Sequence, residues 1–114
     1  MDYTNIKTFD DVFVATGVTE EQFAAKINGM DPDTAAYEKL KLVAKAINGD
    51  WTPDFSDGDQ GKWEPWFYFR DSAFDFAVGW HQYSFVGSRL CFETEEKAEY
   101  AATTFIDEYN AFLK

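Results

Sequence analysis

The sequence predicts an α+β fold: N-terminal helices, a three-stranded antiparallel β-meander, and a C-terminal helix packed on one face of the sheet. Three observations carry that expectation. Tyr37, Leu40, Val43, Ala44 and Ile47 recur at spacings of three and four, the stripe of an amphipathic helix. Between Lys62 and Glu93 the apolar residues alternate at period two in three short runs. After Thr94 the helical spacing returns through Ala98, Ala101, Ala102, Phe105, Tyr109 and Phe112. At 114 residues, with no second boundary and no internal repeat, residues 1–114 read as a single domain.

Taken in order, residues 1–7 read as an arm. Thr8 caps a short helix over Phe9–Ala15, with Asp10 and Asp11 in its first turn and Phe9, Val12 and Phe13 on one side; Gly17 stops it. Thr19 opens a second helix, Glu20–Ile27, in which Phe23 and Ile27 form an i,i+4 pair and Asn28-Gly29 ends the run. Asp31 and Pro32 start the third, with proline at the first helical position, and Asn48-Gly49 terminates it. Lys39, Lys41 and Lys45 line its other sides.

The segment DWTPDFSDGDQGK, from Asp50 to Lys62, reads as a long loop from its Gly, Pro, Asp and Ser content. Loops of this length inside a small domain tend to be functional or mobile. The first strand follows over Lys62–Arg70, at an edge because of Pro65. Asp71-Ser72 turns the chain into Phe74–Trp80, and His81–Gly87 connects to a third strand, Ser88–Glu93. Short connections between the runs favour a sequential meander with the second strand central.

Alternation then sorts the sheet into two faces. Phe67, Phe69, Phe74, Phe76, Val78, Trp80, Leu90 and Phe92 make the core face. Trp66, Tyr68, Arg70, Asp75, Ala77, Gly79, Arg89, Cys91 and Glu93 make the other. On that second face Ala77 and Gly79 would floor a slot between Trp66 and Tyr68 on one side and Arg89 on the other. Aromatic walls with a guanidinium suit a planar anionic ligand of nucleotide type, held by Trp66, Tyr68, Arg70 and Arg89. The structural alternative is an aromatic packed over a neighbouring glycine, with helices covering the face. A bulge near Pro65 would reassign the first strand's faces.

Charge bounds the partners. The net charge is −11, from 21 acidic against 10 basic residues. Such a field repels nucleic-acid backbones and anionic lipid, and favours a protein partner with a basic surface. Asp54, Asp57 and Asp59, in the long loop, are the candidate contacts. Their spacing fails the calcium-loop pattern: counted from Asp57, the fifth position is Gly61 and the twelfth is Tyr68. A single histidine, His81, and a single cysteine, Cys91, are poor zinc-site material and allow no internal disulfide. No glycine-rich phosphate loop is present, and no nucleophile–base constellation stands out, although carboxylate chemistry at Asp59 or Glu64 is conceivable. The expectation is a non-catalytic protein with no cofactor and no metal. No apolar run approaches the roughly 20 residues of a membrane span, and the N-terminal segment lacks a secretory pattern. A cytoplasmic setting, the cytosol of a bacterial host, is therefore expected.

Several segments resemble a group of small uncharacterised proteins encoded by bacteriophages and mobile elements of gut bacteria. They are Ile6–Asp11, Trp51–Asp54, Pro65–Phe67, the stretch VGSRLCF (residues 86–92) and AEYA (98–101), with Phe105 and Tyr109. The similarity spans nearly the whole chain in the same order. It implies an accessory role without supplying an activity, cofactor or site residue. The expected function is protein–protein binding, in one form the inhibition of a host defence protein in the manner of an anti-CRISPR. A nucleotide-like ligand at the aromatic slot and a structural place in the virion are the alternatives.

Overall fold

Threonine side chains start three helices. In the computed structural model, which describes residues 2–68, 73–78 and 90–113, Thr8 precedes α1 (Phe9–Thr16), Thr19 precedes α2 (Glu20–Ile27) and Thr94 precedes α4 (Glu95–Thr104). Each hydroxyl accepts from the amide three residues on, and at α1 and α2 the Asp11 and Gln22 side chains return the bond to the cap amide. These reciprocal caps satisfy amides that a helix start leaves without partners, at about 1 kcal/mol each. Asp10, Asp11, Glu20, Glu21, Asp33, Glu95, Glu96, Asp107 and Glu108 all occupy first turns. Much of the chain's negative charge thus sits where helix dipoles favour it.

The longest helix, α3 (Pro32–Asn48), has proline at its first position but gains no side-chain cap from Asp31. It ends at Gly49, whose φ of +66° with ψ of −122° only glycine adopts without strain. Its stripe of Leu40, Val43, Ala44 and Ile47 is buried, and it touches α1, α2, α4 and α5. The core gathers around it: Ile6, Val12, Leu90, Phe92, Ala98, Ala101, Phe105 and Tyr109. The N-terminal residues are docked rather than an arm. Tyr3–Asn5 form a 3₁₀ turn, Ile6 is buried, and the Tyr100 hydroxyl donates toward Ile6 O (2.7 Å) and Thr4 O (3.0 Å).

The C-terminal helix is two helices. At Phe105 the backbone leaves helical values (φ −113°, ψ 35°), directly after the β-branched pair Thr103-Thr104, and α5 (Ile106–Leu113) begins as a separate helix. The break lets α4 lie against the strands while α5 packs on α3. The small residues Ala98, Ala101 and Ala102, all fully buried, permit that close approach.

The expected three-stranded meander is overturned. Among the described residues the fold is mostly helical, with one short antiparallel pair, β1 (Glu64–Tyr68) and β2 (Ala73–Val78). Within Ser88–Glu93 the described residues form no strand; Phe92 makes a single bridge, to Trp63, with N···O distances of 3.0 and 2.8 Å. The bridge stops within a residue or two on either side: on the partner side Pro65 has no amide to donate, and after Glu93 Thr94 begins α4. The opposite edge of this stretch is held by α3, where the buried Asn48 amide donates to Cys91 O (2.9 Å) and its carbonyl accepts from Glu93 N (3.0 Å). Phe92 also pairs beside β1 and not β2, so the premise of a central second strand fails.

The backbone register is irregular between Trp66 and Phe67, with Trp66 paired to Phe76 and Phe67 to Phe74, so an irregularity does fall close to Pro65. Phe67 does reach the core, its ring 5.1 Å from that of Tyr109, and Leu90 and Phe92 are buried. Burial pushes the Tyr109 phenol well above its ordinary value, and the neighbouring Cys91 adds to the shift.

Candidate functional site: the acidic loop and the groove beside it

The segment after α3 contains the most exposed carboxylates of interest, and its order comes from a lysine. Lys62, the last residue before the Trp63 bridge, is 0% exposed. Its ammonium donates to Asp57 O at 2.9 Å and Gln60 O at 3.1 Å, and it lies 5.0 Å from the centre of the Phe55 ring. The loop therefore closes on a cation that the chain itself supplies. Two carbonyls and an aromatic face replace the water that a buried ammonium loses.

Around that anchor the loop bonds to itself. Asp54 Oδ1 accepts from Ser56 N and Ser56 Oγ, and Asp57 Oδ1 accepts from Asp59 N at 3.0 Å. Gln60 spans the loop, accepting from Asp54 N and donating to Thr52 O at 3.1 Å. The hydrogen bonds from Ser56, side chain first and then backbone, hold the Asp54 carboxyl below its ordinary value. Asp54, Asp57 and Asp59 are nonetheless exposed. The Asp54 and Asp57 carboxylates are held by these bonds and keep further lone pairs for solvent, while Asp59 is placed through its backbone amide.

Glu64, at the start of β1, is 3% exposed and accepts from the Cys91 thiol at 3.2 Å. Cys91 is thus both a buried packing residue and a donor. Asp59, the other carboxylate considered for acid–base work, is exposed on the loop. Among the described residues no group of three or more His, Cys, Asp or Glu could hold a metal ion, and no helix is long and apolar enough to cross a membrane.

The same loop walls a groove of about 630 Å³. Val18, Gln22, Phe23 and Lys26 come from α2 and its approach, Glu38, Lys41, Leu42 and Lys45 from α3, and Trp51, Thr52 and Pro53 from the loop's beginning. Glu38 is shared by Lys41 (2.9 Å) and Lys26 (3.2 Å). Burial raises its pKa, but the hydrogen bonds and charges of Lys41 and Lys26 outweigh burial and leave it below its ordinary value. Lys45, one turn beyond Lys41, is exposed and has no hydrogen-bond or ion-pair partner among the described residues. Sequence reasoning placed Lys41 and Lys45 on the sides of α3 away from its apolar stripe, did not single out Lys26, and missed the groove. The i,i+4 pair Lys41/Lys45 beside the apolar Leu42 was the available signal.

The sequence-predicted slot falls outside the described residues. Trp66 and Tyr68 lie in β1, but their side chains, with Arg70, Arg89, His81 and the Asp71-Ser72 turn, lie outside the described residues. No protein-family profile matches the chain, and no curated protein or solved structure is similar to it.

Proposed function

We propose that this protein is a non-catalytic binding protein that occupies a basic-surfaced protein through its acidic loop, in its specific form a phage or mobile-element inhibitor of a bacterial defence protein. The observation that supports the reading is the Lys62-anchored loop, which exposes Asp54, Asp57 and Asp59 on a backbone held by its own hydrogen bonds. A preorganised charged surface binds without the ordering cost of a floppy one, and its field speeds encounter with a basic partner. The remaining acids placed at helix starts serve folding first, so the loop carboxylates are the part of the charge best suited to recognition.

The test is affinity capture from a bacterial lysate with the tagged protein and a D54N/D57N/D59N variant. Asparagine removes the charge at all three positions and keeps, at 54 and 57, the side-chain oxygen that closes the turn. The expected result is a basic partner released by added salt and bound about tenfold more weakly by the variant. Capture of the same partner with equal affinity by the variant would refute the role of the loop.

A further inference from the structure

The groove beside the loop is chemically unlike the rest of the surface. In a chain of net charge −11 it gathers Lys26, Lys41 and Lys45 against one acid, Glu38. Glu38 compensates one lysine charge, which leaves about two positive charges at the rim (a count of formal charges). Beneath them lie Phe23, Leu42 and Trp51, an apolar floor and wall. The volume of about 630 Å³ lies within the range of small-molecule sites.

We infer that this groove binds a small amphipathic anion: a phosphate, carboxylate or sulfonate head on a flat apolar body. The head meets Lys45, whose ammonium makes no ion pair among the described residues, with Lys41 one turn away. The body lies on Leu42 and against the Trp51 ring. The site stands apart from the loop-docking reading: neutralising Asp54, Asp57 and Asp59 is not expected to weaken it.

The experiment is a titration of the ¹⁵N-labelled full chain with 1-naphthyl phosphate and, in parallel, with uncharged 1-naphthol. The expected result is saturable shifts centred on Phe23, Leu42 and Trp51, with naphthol about tenfold weaker. K45Q is expected to weaken naphthyl phosphate about fivefold, the scale of one exposed charge pair. Lys45 is exposed and without a partner, so this variant keeps the fold. E38Q is expected to tighten binding by a similar factor, about fivefold, by freeing Lys26 and Lys41, a gain that unfolding cannot produce. The inference is overturned by shifts centred elsewhere, by no saturation up to about 5 mM, near the weakest affinity worth the name, by indifference to K45Q, or by a groove that responds to an acidic peptide and not to naphthyl phosphate.

Discussion

The two halves of this protein are held together by different chemistry. Around α3 the contacts are apolar: Leu40, Val43, Ala44 and Ile47 face Val12, Ala101 and Phe105, and no buried charge is needed. Around the loop and β1 the interior is polar. Lys62 and Glu64 are buried there, and Asn48 fastens the chain at Cys91 and Glu93. A helix satisfies its own backbone and asks its neighbours only for apolar surface. A long loop with one short strand pair does not, so its carbonyls and amides must be met by side chains. Asn48 and Lys62 do this from the interior, and Asp54, Asp57 and Gln60 do it within the loop.

Breaking the apolar half should have the largest effect. L40A removes a fully buried side chain from the centre of α3 and is expected to cost about 2–5 kcal/mol. Chemical denaturation followed by circular dichroism and by tryptophan fluorescence should shift together. N48A tests the polar half. It leaves Cys91 O and Glu93 N without the Asn48 partner and is expected to cost about 1–3 kcal/mol, read in the same denaturation curves. If N48A proves neutral, the Asn48 bridge is not what fastens the Cys91–Glu93 stretch to α3.

The smallest effect belongs to the pair chemistry at the groove. Because the folded-state pKa of Glu38 is lowered, its contribution to stability is present above the unfolded-state value and is lost as pH falls through the folded-state value. E38Q should therefore destabilise by about 0.5–1 kcal/mol at neutral pH and by nothing measurable once Glu38 is protonated in both states. Denaturation midpoints of both proteins across the acidic range check the sign, since a gap that widens on acidification would contradict it.

The same contrast explains what could be read in advance. Thr8, Thr19 and Thr94 announced three helix starts, and Gly17 and Gly49 two ends, because capping is decided by residues within one turn. The α3 stripe was legible for the same local reason. The third strand was not, since Leu90–Glu93 looks extended in isolation and only its encounter with Asn48, more than 40 residues earlier in the chain, shows where its backbone bonds go. Phe105 was counted as a stripe residue and not as a break. Of the candidate site, the exposure of Asp54, Asp57 and Asp59 followed from composition, whereas their anchoring did not: nothing in a period-two pattern marks Lys62 as an interior cation. The groove lysines were visible one by one, and their convergence depends on how α2 meets α3.

The central claim is that Lys62 turns the loop from a tether into a surface. Hydrogen exchange of the full chain, compared with K62M, addresses it most directly. Asp54, Ser56, Asp57, Asp59 and Gln60 each donate an amide hydrogen bond within the loop. Their amides should be protected in the parent protein and should lose about tenfold or more of that protection in K62M, while the α3 amides keep theirs. Loop amides that already exchange freely in the parent protein would contradict the account.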